Sequence, residues 1–439
     1  MQRMLIDETP EKIGEKVRLK GWVTIQRDHG KVIFIDLRDR SSVIQLVITK
    51  DNADAFEKAK KSCSESAIEV IGTVKERPKN LVNEKISTGG VEVEVESLKI
   101  LSVAVELPLE VSKAELDLNL QTLLERRNLA LRNEKIKSIF FVSASVLDGY
   151  RNAMKEKQFT EIKTPKILSA ATEGGANFFK IDYFDSEAFL AQSPQFYKQM
   201  GVGVFERVFE VGPVFRAEPH FTSRHVNEYI SLDAEMGFID SYEQIMDELE
   251  GVIWKIMENV KKQRSDVLKK YNASVPEKME IPRMKLSDAL EILEKEFGKK
   301  SEAFDIDPEG ERLICEYVKK EKGSDLIFLT HYPTSIRPMY TMPNEEDKEL
   351  TNSFDLLFRG VEIATGGQRI HSYEQLKKSI SDRGIDPDQF KYYLEIFQYG
   401  MPPHGGWGMG SERVVQKILG LKSIKEAVLY PRDVKRLIP

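Results

Sequence analysis

With 439 residues, 41% of them hydrophobic and 31% charged, the chain is too long for one hydrophobic core, and two or three globular domains are expected. The formal net charge of -6 excludes a protein coated with basic residues, but not a local basic groove that tracks a phosphate backbone. No apolar run reaches membrane length, and the N-terminal MQRMLIDETPEKIGEK is charged almost from its start, so neither a membrane span nor a signal peptide is expected and the compartment read from the sequence is cytoplasmic. Cys63 and Cys315 show no pairing pattern, and the six histidines have no metal-ligand spacing with either, which argues against structural zinc.

Residues 15–103 contain five short β segments, EKVRLKGWVTIQ, KVIFIDLRD, SVIQLVIT, SAIEVIGTVKE and VEVEVESLKIL, with a helical stretch, DAFEKAKKSC, between the third and fourth. That order suggests a small Greek-key barrel of the OB type. Phe34 and Gln45 lie on neighbouring strands; an exposed ring beside an amide can stack on and read an unpaired base. Pattern alone leaves Phe34 equally a core residue. Arg27 and Lys31 could meet phosphates.

Residues 104–130 read as a linker leading into helix, and 131–158 as a long amphipathic helix. FTEIKTPKI (159–167) is a short strand ended by Pro165, which marks either a subunit edge or an ordinary turn. In TEGGANFF, two glycines after Glu173 make a loop able to close over a substrate. Within FLAQSPQFYKQM, Gln195 and Lys198 share a helical face with Ser193 at the N-cap. Lys198 is a solvated charge unless Phe196, Tyr197 and Met200 recess it, and a recessed amine suits a carboxylate.

The stretch 208–239, VFEVGPVFRAEPHFTSRHVNEYISLDAEMGFI, sets two strand-length apolar runs around a polar loop holding Arg216, Glu218, His220, Arg224 and His225. A hairpin of this kind offers a polyphosphate a fork of guanidinium donors; the plainer alternative is a solvated turn with surface ion pairs. Helical, charge-rich segments at 242–268 and 286–322 then look like an insertion over about 241–330. In FDLLFRGVEIATGGQRI, Asp355 at the end of one strand and Glu362 on its partner can share one hard cation, with Thr365 nearby; magnesium with waters and nucleotide phosphates is the natural occupant. Arg369 supplies a second fork for a carboxylate. Finally, the glycine-rich GGWGMG runs into a helix opening with Ser411, Glu412 and Arg413. Small residues give a purine a flat floor, and Arg413 would point at a terminal phosphate. No GxxxxGK[ST] occurs, so this is not a P-loop.

Together these segments resemble the three signature motifs of class II aminoacyl-tRNA synthetases. The strand ended by Pro165 resembles motif 1, the dimer element; FRAE with RHVNE resembles motif 2, and GMGSER resembles motif 3. The barrel resembles the anticodon domain of the lysyl, asparaginyl and aspartyl subgroup. Lys198 in QSPQFYK and Arg369 in GGQR resemble the aspartyl branch, and the chain length with the GVEIATGGQR and YGMPPHGG stretches resembles its archaeal type. The resemblance implies a multi-domain fold: an N-terminal all-β OB barrel (1–103), a hinge (104–130), and a C-terminal α+β catalytic domain (131–439) whose antiparallel sheet is flanked by helices. It implies a homodimer that uses ATP and Mg2+ to attach L-aspartate to tRNA(Asp) through an aspartyl-adenylate.

Residue roles carry over in the same way. Glu173 and Gln195 take the substrate ammonium; Lys198 and Arg369 take its side-chain carboxylate, with Asp233 orienting Lys198 and Thr365 close by. Arg216 clamps the α-phosphate and carboxylate, and Glu218 holds the adenine amino group beside Ala217. Arg224, His225, Val226 and Arg413 serve the outer phosphates, with Gly410, Ser411 and Glu412 beneath the nucleotide. Asp355, Glu362 and Thr365 surround magnesium, while Phe34 and Gln45 stack on and read the central anticodon base, flanked by Thr24 and Arg27. Two cations in one pocket favour aspartate over asparagine, because a buried unpaired cation is costly.

Pro219 and His220 depart from the acidic residue usual after FRAE. Thr24 and the loop ERPKNLVNEKISTGG lie where the base separating tRNA(Asp) from tRNA(Asn) would be read, and Thr24 is not bulky, so tRNA(Asn) stays open as a second acceptor. Competing readings are an asparaginyl-tRNA synthetase, a tRNA-independent asparagine-forming paralogue, which normally lacks the barrel, and an RNA-binding regulator built on an inactive core.

Overall fold

The computed structural model describes residues 1–84, 86–169, 178–219, 221–301 and 304–438. The chain divides into two compact units, Met1–Asp117 with Leu129–Glu134, and Leu118–Asn128 with Lys135–Pro439.

In the first unit, β1 (Lys16–Asp28), β2 (Val32–Arg38), β3 (Val43–Thr49), β4 (Ala67–Glu76) and β5 (Val91–Ser102) close into a barrel in the order β1-β2-β3-β5-β4. Alternation does the folding: Ile33, Ile35 and Leu37 of β2 point inward and are fully buried. Phe34 and Asp36 therefore lie on the outer face, and the core alternative for Phe34 fails. At Gly72 a Cβ would come 2.2 Å from the Glu94 carbonyl oxygen, so the barrel turns this corner only with glycine. The helix Ala53–Lys61, capped by the Asn52 side chain, plugs one end with Ala55, Phe56 and Ala59. Much of the expected linker belongs to this unit. Leu109 and Val111 are buried, and Asn133 Nδ2 donates to the carbonyls of Val111 and Lys113 at 3.0 and 2.7 Å.

The second unit is built on an eight-stranded sheet. Its strands are β6 (Thr160–Glu161), β10 (Arg207–Phe215), β11 (Glu228–Gly237), β12 (Arg283–Lys285), β13 (Leu326–Thr330), β14 (Ser353–Phe358), β15 (Val361–Arg369) and β16 (His404–Gly410). The order is β12-β13-β14-β15-β16-β11-β10-β6, antiparallel throughout except for a parallel pair at each edge. A small sheet of β7 (Ile167–Leu168), β9 (Ser186–Leu190) and β8 (Lys180–Tyr183) stands apart. The helix Glu134–Glu156 buries Val142, Val146 and Tyr150, and Tyr150 donates to the Asp233 carbonyl at 2.8 Å, bolting helix to β11. Glycine at 406 is obligatory, because a Cβ there would fall 2.0 Å from the Ala234 carbonyl oxygen and 2.4 Å from Glu235 Oε2.

Several expectations change. The segment read as an insertion supplies β12 and β13, so it completes the main sheet rather than interrupting it, and its second half is two helices, Leu286–Phe297 and Pro308–Lys322. Strand β6 ends at Glu161, well before Pro165; the last ladder bond is from Ile162 N to the Phe209 carbonyl at 2.9 Å. Pro165 is not what stops it. Among the described residues no helix is long and apolar enough to cross a membrane.

Candidate active site

The antiparallel register places β11, β15 and β16 side by side as a floor, with Asp233 opposite Gly408 and Gly408 opposite Thr365. Above it is a cavity of about 360 Å³. Gln195, Lys198, Arg216, Glu218, Arg224, His225, Val226, Asp233, Glu362, Thr365, Arg369, Gly410, Glu412 and Arg413 all line it. The sequence reading assigned every one of these to a site. Ala217, Asp355 and Ser411 are not in the lining, and Glu173 and His220 lie outside the described residues.

Gln195 and Lys198 come from the helix Gln195–Phe205, whose N-cap is Pro194, not Ser193; Ser193 Oγ accepts from Gln195 N at 3.3 Å instead. Lys198 is recessed, not solvated: its side chain is 2% exposed and its Nζ donates to Asp233 Oδ1 at 3.0 Å and to the Trp407 carbonyl at 2.8 Å. Arg369, also buried, donates from Nε to Glu235 Oε1 at 2.9 Å and from Nη2 to the Gly406 carbonyl at 3.1 Å and Gln195 Oε1 at 3.4 Å. Glu235 Oε2 sits 3.4 Å from Lys198 Nζ.

This overturns the expectation of spare positive charge. Two cations face two buried carboxylates, Asp233 and Glu235, and the pocket is balanced. Burial works against the Glu235 carboxylate, but Arg369 and Lys198 outweigh it and hold its pKa below the usual range. For the Arg369 guanidinium, burial is likewise outweighed by Glu235, and its pKa is raised. Sequence reasoning missed Glu235, although the alternation of LDAEM on β11 puts it on the same face as Asp233. Behind this pair, His404 is fully buried, and burial pushes its pKa down to about 4.

Asn227 braces the 216–227 loop by donating from Nδ2 to the carbonyls of Arg216 and Glu218 at 2.7 and 3.3 Å. Arg216 lies over the Tyr229 ring at 5.9 Å, and His225 Nδ1 is 2.7 Å from Thr222 Oγ1. Arg224 is ion-paired with Glu311. Arg413 Nη1 donates to the Glu362 carbonyl at 2.7 Å and lies 3.6 Å from Glu362 Oε2. Glu412 is committed to structure: its carboxylate accepts from Ile230 N at 3.0 and 3.2 Å and from Ser411 Oγ at 2.9 Å. Burial pushes its pKa up to about 7. Ser411 is thereby turned away from the cavity.

The proposed metal carboxylates differ from expectation. Asp355 lies inside β14 rather than at its end, and its Oδ2 is 2.8 Å from Arg337 Nη2. Arg337 also donates to Thr365 Oγ1 at 3.1 Å and packs on the Tyr332 ring at 3.8 Å. Nothing in the sequence pattern singled out Arg337, a lone arginine in an irregular loop. A bulge between Leu356 and Leu357 lets Glu362 share the cavity with Thr365 despite their spacing of three.

In the barrel unit, a second cavity of about 360 Å³ is lined by Thr24, Arg27 and Gln45, with Arg77, Asn83, Thr88 and Lys113. Arg27 forks Asp36 at 2.8 and 3.0 Å and reaches Gln45 Oε1 at 3.3 Å, while Gln45 Nε2 donates to Glu92 at 2.8 Å. Thr24 Oγ1 donates to the Asp36 carbonyl at 2.8 Å. Phe34 is outside this lining, half-exposed, its ring edge-on to His29 at 5.7 Å.

Residues 119–434 match the family model for tRNA synthetases class II (D, K and N), and residues 17–101 match that for the OB-fold nucleic acid binding domain. The chain is 45% identical to the aspartate–tRNA(Asp/Asn) ligase of Thermus thermophilus over the whole of both chains. The chain belongs to the class II tRNA synthetases, among the aspartate–tRNA ligases. It is 42% identical to the aspartate–tRNA(Asp) ligase of Pyrococcus abyssi, covering 98% of each. Among solved structures, the asparaginyl-tRNA synthetase of Pyrococcus horikoshii complexed with asparaginyl-adenylate matches with a TM-score of 0.89 and 31% identity over all of both chains. In this chain β10, the loop after it, β11, β16 and the helix Ser411–Leu419 are the frame that carries the cavity.

Proposed function

We propose that this protein attaches L-aspartate to tRNA(Asp) in two steps, through an aspartyl-adenylate. One observation carries the reading: two buried donor-only cations, Lys198 and Arg369, share a cavity wall with Arg216 and Arg413. With the charge balanced, selection falls to hydrogen-bond polarity. An ammonium and a guanidinium have no acceptor, so an aspartate carboxylate accepts from both, whereas an asparagine amide would turn its NH2 against one of them. Arg369 Nη1 makes no hydrogen bond among the described residues and is available for this contact.

Arg216 holds the α-phosphate and the substrate carboxylate together, so that the carboxylate attacks phosphorus in line and pyrophosphate leaves. Glu218 accepts from the adenine amino group, and Arg224, His225 and Arg413 bind the outer phosphates. Gln195 takes the substrate ammonium. The terminal ribose hydroxyl of tRNA then attacks the carbonyl carbon of the mixed anhydride, losing its proton; the ester forms as the acyl–phosphate bond breaks and AMP leaves.

The donor set fits magnesium held largely by phosphates and waters, which needs only one or two carboxylates. Glu362 faces the cavity, and Asp355 Oδ1 is a buried oxygen with no hydrogen-bond partner among the described residues. Glu362 and Asp355, with Thr365 beside them, would hold the ion, and it would supply neutralisation of phosphate charge.

The enzyme works as a cytoplasmic homodimer, and the barrel cavity with Phe34 grips the anticodon. Thr24, small and turned back onto the Asp36 carbonyl, sets no bulky side chain against the base that separates the two tRNAs, which favours charging of tRNA(Asn) as well. Charging of transcripts with GUC and GUU anticodons using labelled aspartate tests both statements. Aspartylation of the GUC transcript supports the function and its failure refutes it; the GUU transcript decides the acceptor range.

A further inference from the structure

Arg224 reaches the cavity from the loop between β10 and β11, which has no helix or strand among its described residues. The loop is fastened from one side by the C-terminal segment: the Ser223 carbonyl accepts from Ile424 N at 2.9 Å, and Asn227 N donates to the Arg432 carbonyl at 2.8 Å. On the other side Arg224 Nη2 is ion-paired with Glu311.

Glu311 belongs neither to the loop nor to the floor. It stands in the first turn of the helix Pro308–Lys322, is 9% exposed, and lies close enough to Glu362 and Arg413 to feel both charges. That helix is a rigid mount. Asp307 Oδ1 caps it through Gly310 N at 2.7 Å, and Ile314, Cys315 and Val318 are buried with Ile327, Leu329 and Leu357 of the sheet. A guanidinium has five N–H donors in a fixed fork, and Arg224 commits only Nη2 to a hydrogen bond among the described residues. An anchored fork keeps its other donors aimed, so less freedom is lost when a phosphate arrives.

We infer that Glu311 is a positioning residue for the nucleotide: from the rigid helix it fixes the Arg224 guanidinium for the outer phosphates of ATP. The inference rests on ATP occupying this cavity. A carboxylate that merely competed with phosphate for Arg224 would have the opposite effect on affinity, so the sign of the change is diagnostic.

The test uses the full chain carrying Glu311→Gln, which keeps size and removes charge, and Glu311→Ala. Magnesium-ATP binding is measured by calorimetry, and ATP–pyrophosphate exchange is run with aspartate. The expected result is ATP binding weakened about ten-fold and KM for ATP raised similarly, with KM for aspartate and kcat within about two-fold of the parent. In an Arg224→Ala background, Glu311→Gln should add nothing. Unchanged or tighter ATP binding overturns the proposal. So does an equal loss in the Arg224→Ala background, or a joint fall in kcat and both affinities with a lowered unfolding midpoint. If the parent binds magnesium-ATP but shows no aspartate-dependent exchange, the amino-acid assignment fails while the calorimetric arm still judges Glu311.

Discussion

Lys198 Nζ and Asp233 Oδ1 stand 3.0 Å apart with both side chains almost wholly out of solvent. The carboxylate fixes the ammonium against β11, and the Trp407 carbonyl of β16 takes a second proton, so the lysine has one orientation. Lys198→Met should lower aspartate-dependent ATP–pyrophosphate exchange by at least about 1,000-fold, because a buried donor to the substrate carboxylate is gone. ATP binding, measured by calorimetry, should stay within about two-fold. Retained exchange would remove Lys198 from the specificity role.

Glu235 is the counter-charge of Arg369 and completes the balance of the pocket. Glu235→Gln leaves a buried guanidinium without its partner, and urea unfolding should show a loss of about 3 kcal/mol. An unchanged midpoint and slope would mean that Arg369 finds another acceptor.

Glu412 gives stability a pH dependence. Burial holds its folded pKa at about 7, above the ordinary glutamate value of 4.5. The folded chain therefore keeps this proton through a window in which the unfolded chain has released it. The associated stability is complete below about pH 4.5 and lost as pH rises through about 7. The difference in stability between parent and Glu412→Gln should shift against the parent by about 3 kcal/mol across that window. A difference independent of pH would show that Glu412 titrates normally.

Phe34 lies on the outer face of the barrel and Gln45 lines the barrel's own cavity, and neither lines the cavity that holds Lys198. Phe34→Ala and Gln45→Ala should each lower kcat/KM for tRNA by about 10- to 100-fold, since base stacking contributes about 1–3 kcal/mol. Aspartate-dependent exchange without tRNA should not change. Equal losses in both assays would place these residues in folding rather than in recognition.

What the sequence revealed and concealed follows from the range of the signal. The barrel was legible because its strands alternate, as in VIFIDLR, where burial follows the alternation from Val32 to Leu37. Fourteen of the assigned residues share one cavity wall because motif spacing and strand register are the same information. The hidden partners are long-range. Arg337 and Glu311 meet their partners Asp355 and Arg224 across the fold, and no local periodicity records those meetings. Glu235 was within reach, two residues from Asp233 on one strand face, and it corrects the charge count. The helical patterns at 242–268 and 286–322 hid an edge strand and its neighbour, because RMK and LIFLT are too brief to declare their period.

The central claim is that Lys198 and Arg369 present only donors to the substrate side chain. ATP–pyrophosphate exchange with aspartate and asparagine, each titrated to saturation, measures it directly. The expected kcat/KM for aspartate is at least about 1,000-fold above that for asparagine, the discrimination available when buried donors would be left facing an amide NH2. Comparable values for the two amino acids, or a preference for asparagine, would contradict it.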